Sequence, residues 1–190
     1  MLTSYFDTTE LLKMGFRSLG KDVKLSRKAS IYNPKDISIG DYSRIDDFCV
    51  ISAGEGGIDI GRNVHIAVYV LMMGKAKISL GDFSGLSSRV SIYSSNDDYS
   101  GEAMTNPTVD SKYTNVYSSP VTIGEHVIIG SGSVVLPGIT VGRGTSVGAL
   151  TIVNKDCAEF KVYIGSPMRC LKDRSRNLLL HEIKLLKDEG

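Results

Sequence analysis

The sequence predicts an all-β solenoid, a parallel β-helix whose coils stack into a triangular prism with a helix at each end. Two observations carry that prediction. Aliphatic residues recur at every sixth position, without a miss from Ile123 through Ile129, Val135, Val141, Val147 and Val153. Glycine follows at Gly124, Gly130, Gly142 and Gly148. A period of six fits neither the 3.6 of an amphipathic helix nor the unbroken alternation of a long strand. It does fit short strands with a corner every six residues, one aliphatic side chain per side pointing inward and glycine permitting the bend. Three sides close a coil of about 18 residues, and each coil buries its neighbour's apolar layer.

At the N-terminus, "TTELLKMGF" offers a threonine cap and an acidic first turn, so residues 1–22 are expected to form a helical cap. From 23 to 164 the beat fills the chain. It runs as Leu25 and Ile31; as Ile39, Ile45 and Ile51; as Ile60, Ile66, Met72 and Ile78; and, after a slip, as Leu80, Leu86 and Ile92. The slips fall at "YNPKD", "AGEGG" and "GKAK", whose proline, glycines and charges suit turns. Between Ser94 and Pro120 the beat stops for "SSNDDYSGEAMTNPTVDSKYTNVYSSP". A polar insertion of that length has no folding rationale in a repeat array, and long loops in compact domains commonly carry function. Residues 165–190 read as a tail and a second helix, with apolar residues at Leu178, Leu179, Ile183, Leu185 and Leu186. Both helices are expected to cover open ends of the prism, where a bare coil would expose strand edges and core.

The composition, 42% hydrophobic and 23% charged over 190 residues, is that of an ordinary single domain. A formal charge of +1 gives no bulk reason to bind nucleic acid or a membrane surface. Cys49, Cys157 and Cys170 include no CxxC pair and read as reduced thiols of a cytoplasmic protein. The N-terminus lacks the basic start and apolar run of a signal peptide. The most apolar run, "VHIAVYVLMMG" from Val64, falls well short of the roughly 20 residues that span a bilayer.

The run "VTIGEHVIIGSGSVVLPGITVGRGTSVGALTIVNKD", followed by "IGSPMR", closely resembles the hexapeptide-repeat acyltransferases, and within them the maltose and galactoside acetyltransferase-like sugar acetylases. The resemblance covers roughly Ile39 to Lys172. It implies a left-handed β-helix, a homotrimer with active sites between subunits, acetyl-CoA as acyl donor, and a sugar or nucleotide-sugar acceptor. Left-handedness comes from the family alone, because general crossover rules favour the right hand. Matched residue by residue, Ser131 and Ala149 fall at contacts to the coenzyme's pantetheine arm, with Asn154 and Lys155 on the next turn. Arg169 matches an arginine near the nucleotide end, and Lys172 replaces a second one, which keeps the charge but loses the planar fork. Small residues at such corners also serve packing, and Lys155 alone would pass for a surface lysine.

The resemblance makes the loop at 94–120 the acceptor loop and puts the family's catalytic histidine at Asp97, or one residue away at Asn96. Neither is a histidine. A hydroxyl acceptor needs a base near neutrality, and an aspartate with an ordinary pKa of about 3.9 serves poorly. An amine titrating near the roughly 7.7 to 8.0 of an α-amino group is already partly neutral at physiological pH. The expectation is therefore N-acetylation of an amino sugar on a nucleotide carrier, in surface-polysaccharide precursor synthesis, with Asp97 orienting the amine and taking its proton. His65 is a second base or a substrate donor on one reading and an ordinary corner histidine on the other. Asp98, Tyr99 and Tyr69 are candidate acceptor contacts, although "DDYSG" could equally be a capped turn. Tyr113 and Tyr117 could stack on a sugar or base. Two other functions stay open. One is O-acetylation of a sugar or glycan with His65 as base; the other is a noncatalytic or metal-binding β-helix. Zinc of the carbonic-anhydrase type would need three converging histidines, and only His65 and His126 lie in the coils. No metal is expected.

Overall fold

The computed structural model describes residues 4–188. The expected end segments 1–22 and 165–190 thus extend, at residues 1–3 and 189–190, outside the described residues. Three sheets, parallel except for the last strand of the second, wind round one core in about 7 turns. The first face starts at Ser18–Leu19 and has six strands, the second starts at Lys24–Leu25 and has eight, and the third starts at Ser30–Tyr32 and has six.

The six-residue beat becomes the inside of the prism. Ile45, Ile66 and Leu86 stand opposite one another on the second face, and Ile51, Met72 and Ile92 on the third. All six are at most 1% exposed. The slips are turns, with a 3₁₀ segment at Pro34–Asp36. Corner hydroxyls bond across coils: Ser43 Oγ donates to the Gly61 carbonyl at 2.7 Å and Thr145 Oγ1 to that of Ala158 at 2.7 Å. Such bonds satisfy backbone groups that the turns bury.

The glycines of the beat serve a purpose other than the expected one. Gly40, Gly61, Gly81 and Gly124 have no positive φ; the left-handed corner position falls two residues later, on Tyr42, Asn63, Phe83 and His126. These glycines are needed for closeness. A Cβ on Gly40 would lie 2.5 Å from the backbone of Gly61, and one on Gly81 would lie 2.5 Å from the amide nitrogen of Glu125.

The helices differ from expectation in two respects. The N-terminal helix, Thr8–Lys13, is capped by Asp7, not by threonine, in a reciprocal capping box with Glu10. Asp7 provides the better acceptor because its carboxylate also meets the helix's positive end. Leu11 is buried, and Phe6, Met14 and Phe16 pack on the core, so this helix does cover its end. The C-terminal helix, Leu178–Asp188, has no buried residue. It lies beside the last coils, tied by Glu182 to His126 at 2.9 Å. The far end is closed instead by the strand Arg169–Asp173, antiparallel to Lys161–Ile164, with Tyr163 and Met168 buried beneath.

Outside, the three faces differ. The first presents Ser38, Asp59, Ser79, Thr122 and Thr140. The second presents Lys24, Arg44, His65, Gly85, Ile128 and Ser146. The third mixes apolar residues, Leu71, Met73, Tyr93, Val134, Leu136 and Ile152, with Ser52, Ser91 and Asn154.

Candidate active site

The long loop leaves the third face after Tyr93 and rejoins the first at Val121. Ser95–Asn96 pairs antiparallel with Tyr117–Ser118, so both ends of the loop are pinned at one neck. Asp97 is the first residue beyond it. Asn96 Nδ2 donates to the Asp97 carbonyl at 2.8 Å, which sets the path of the chain there.

Asp98 shapes the loop. Its Oδ1 accepts from the hydroxyl of Ser100 at 2.7 Å and from the Ser100 amide at 3.0 Å, and its Oδ2 accepts from the Ala103 amide at 2.9 Å. The Ser100 hydroxyl, then the backbone amides, hold its pKa down at about 2. The capped-turn reading of "DDYSG" describes this arrangement. A depressed carboxylate contributes order that is complete above the ordinary aspartate pKa and is lost as pH falls through the folded value. The Ser100 and Ala103 amide resonances are therefore expected to hold steady down to about pH 3 and then to move. A midpoint near 4 would refute the turn.

At the neck lies a cavity of about 770 Å³. Val134, Leu136 and Pro137 line it from the coils, and Asn96, Asp97, Tyr99 and Tyr117 from the loop, with Tyr93 and Asn154 beside them. Tyr93, Leu136 and Asn154 each follow the inward residue of a third-face strand, Ile92, Val135 and Val153, which stand in register. One outward column thus joins the loop neck to the last coil. An apolar floor with one carboxylate at its edge can hold a small acyl group while a proton is taken up beside it.

The structure brings Asn96, Asp97, Tyr99 and Asn154 together and leaves the other expected residues elsewhere. Ser131 and Ala149 sit on successive coils at the opposite edge of the third face, where a Cβ on Gly130 would meet the Ala149 amide at 2.5 Å. Lys155 follows Asn154 and is exposed; Arg169 and Lys172 are exposed on the closing strand, opposite Ile164 and Val162. Tyr69 stacks on Phe48 with ring centroids 5.0 Å apart at the corner between the second and third faces. His65 lies on the second face, its Nε2 at 2.9 Å from Asp46 Oδ2, while Arg44 Nε donates to Asp46 Oδ1 at 2.6 Å. Burial alone would raise the Asp46 pKa, but the bonds from His65 and Arg44 outweigh it and hold it low. Tyr113 lies on the loop's 3₁₀ turn with Lys112 over its ring, away from the cavity lining. His126 is a docking residue, stacked on Phe83 and bonded to Glu182. Among the described residues no cluster of three metal-ligating side chains occurs, and no helix is long and apolar enough to cross a membrane.

This architecture has known relatives. A family model described as bacterial transferase hexapeptide (six repeats) matches residues 120–155. A dTDP-4-amino-4,6-dideoxy-D-glucose acyltransferase of Escherichia coli is 53% identical over 176 residues, 93% of this chain and 92% of its own. The chain belongs to the hexapeptide-repeat acyltransferase family. Galactoside O-acetyltransferase of Escherichia coli K12 is more distant, 26% identical over 165 residues, 85% of this chain and 77% of its own. The crystal structure of AntD, an N-acyltransferase from Bacillus cereus, superposes with a TM-score of 0.94 at 41% identity, covering 99% of each chain. That structure holds dTDP and 3-hydroxybutyryl-CoA. AntD has also been solved with dTDP-4-amino-4,6-dideoxyglucose and coenzyme A, and with an aspartate or a serine substituted, the two lying ten positions apart.

Of the residues that line the cavity, the sequence reading did not single out Tyr93, Val134, Leu136 and Pro137. The signal was available: Leu136 and Asn154 both lie one residue past a beat aliphatic and one coil apart, so predicting Asn154 at the site implied Leu136 beside it.

Proposed function

We propose that this chain transfers an acyl group, acetyl in the simplest case, from coenzyme A to the amine of a thymidine-diphosphate-linked 4-amino-4,6-dideoxy sugar. The observation that carries the reading is the cavity at the loop neck, whose lining includes Asp97 and no histidine. The relative at 53% identity and the ligands of AntD support an amine acceptor. The neighbour's substituted aspartate and serine add support: Ser87 and Asp97 have that same spacing here, and of the pairs so spaced this is the one whose aspartate lines the cavity.

The amine lone pair attacks the thioester carbonyl, a C–N bond forms, and the C–S bond breaks to release the coenzyme thiolate. The nitrogen's proton passes to Asp97 and then to the thiolate or solvent. Coenzyme A lies along Ser131, Ala149, Asn154 and Lys155, with Arg169 and Lys172 toward its phosphates; Asn96 and Tyr99 face the acceptor. The working form is a left-handed homotrimer in the cytoplasm, serving surface-polysaccharide precursor synthesis, with residues 1–22 as cap, 94–120 as acceptor loop and 165–190 as tail. The exposed apolar residues of the third face, Met73, Leu136 and Ile152 among them, support assembly, since a partner chain would cover them. The three free thiols support a reducing compartment.

A thiol-release assay with acetyl-CoA against nucleotide-linked amino sugars and plain sugars tests the reading. Turnover is expected with the amines, and kcat is expected to survive His65→Ala. Turnover of a hydroxyl acceptor without any amine, abolished by His65→Ala, would establish the O-acyl reading that the Asp46–His65 pair keeps in view.

A further inference from the structure

A second cavity, of about 430 Å³, opens at the end of the prism where the first and second faces meet. Glu159, Phe160, Lys161, Asp173, Arg174 and Arg176 line it. None of them takes part in the reaction proposed above. The strand Lys161–Ile164 starts at this cavity and ends opposite Arg169, so the coenzyme path lies at the other edge of the second face.

The cavity is built around two guanidinium groups. A Cβ on Gly144 would lie 2.4 Å from the Phe160 ring, and the Gly144 φ is +64°, so glycine both makes the turn and gives the ring its place. Phe160 is 5% exposed and carries Arg176, whose guanidinium carbon lies 4.4 Å from the ring centroid. Arg174 reaches into the same corner. Its Nη1 donates to the carbonyls of His126 at 2.8 Å, Gly144 at 3.0 Å and Thr145 at 3.1 Å, and its amide donates to the Phe160 carbonyl at 2.7 Å.

These bonds meet the Arg174 charge with dipoles only. Among the described residues no carboxylate lies within ion-pair distance of Arg174 or Arg176, and Nε and Nη2 of Arg174 have no hydrogen-bond partner. Burial pulls the Arg174 pKa below the ordinary arginine value, as it does for a cation without a counter-charge. Lys161 differs, because it is hydrogen-bonded to Asp173 and each neutralises the other. A half-buried charge is costly until an opposite charge meets it.

We propose that this cavity binds a phosphomonoester that carries hydroxyl groups, a ligand of the sugar-phosphate class. The phosphate meets Arg174 and Arg176, whose planar donor sets suit its oxygens. Glu159 has no cation within ion-pair distance, so its carboxylate accepts from the ligand's hydroxyls. The volume lies in the range of small-molecule sites and exceeds what a free phosphate ion fills. Bound there, the ester ties the segment that leads into Leu178–Asp188 to the last coils, because Arg174 already holds the carbonyls of His126, Gly144 and Thr145.

Calorimetry with glucose 1-phosphate, on the full chain saturated with coenzyme A and dTDP, tests the site. One ester per chain is expected to bind, and glucose itself is not. Arg176→Gln is expected to weaken the ester about tenfold and to leave the acyl-transfer kinetics unchanged. Glu159→Gln is expected to weaken the ester about threefold while tightening inorganic phosphate, since it removes both a hydroxyl acceptor and a repelling charge. Equal binding by wild type and Arg176→Gln, or no binding by wild type, overturns the site. Inorganic phosphate binding wild type as tightly as the ester overturns the hydroxylated ligand and makes the ion the occupant. The measurement reads binding alone, so its outcome does not depend on which acceptor is acylated.

Discussion

Asp97→Asn is expected to lower kcat by about a hundredfold or more and to leave the acyl-CoA KM near that of wild type. The substitution preserves size and one hydrogen-bond acceptor but removes the ability to take a proton. It should also leave the fold alone, since among the described residues no side-chain hydrogen bond or ion pair engages the Asp97 carboxylate. The amine supplies its own lone pair, so the barrier lies in removing a proton from the tetrahedral intermediate before it reverts. A loss confined to kcat marks an interaction made in the transition state. Asp98→Asn is the matched control: its carboxylate serves the turn at Ser100 and Ala103, and its cost is expected in loop order with only a few-fold change in kcat. A kcat for Asp97→Asn within threefold of wild type would remove Asp97 from the mechanism.

How legible each feature was follows from where its cause lies. The coils could be read because the cause is local and repeated: one inward aliphatic per side fixes the core, and all the beat residues are buried, Ile31 partly. The role of the glycines was misread because its cause is non-local; Gly40 is small on account of Gly61, a full coil away. The C-terminal helix was misplaced for a similar reason. Its apolar spacing predicts a helix, but its position is set by Glu182 reaching His126, and the pairing of Arg169–Asp173 with Lys161–Ile164 closes the end first. The loop was visible as a break in the beat, whereas Asp97 was singled out only through the resemblance. The cavity floor at Leu136 and Pro137 was not visible, because an outward residue gains meaning only once the loop is seen to fold over it.

Gly81→Ala is expected to cost about 3 kcal/mol of stability. The added Cβ would sit 2.5 Å from the Glu125 amide nitrogen and 2.8 Å from the Gly124 carbonyl carbon, both backbone atoms that cannot rotate away. The coils must separate locally, which weakens the bond from the Gly81 amide to the Ile123 carbonyl, now 2.7 Å. The position amplifies the damage. Ile78–Leu80 and Val121–Ile123 are paired across the long loop, so this contact joins the early coils to the late ones over a large gap in sequence. In a repeat array stability is a sum of nearest-neighbour terms, and a weak junction lets the two parts unfold separately. Gly85→Ala, four residues away, has nothing within 4 Å to strike and shares the modest benefit of a less flexible unfolded chain. Urea unfolding of the two variants at equal protein concentration isolates the backbone contact from the amino-acid change. The expected outcome is a clearly lower midpoint for Gly81→Ala, with a shallower transition, beside a midpoint at or above wild type for Gly85→Ala. Equal midpoints would mean that the coils can part at Gly81 without cost and that the glycine ladder is not what keeps them close.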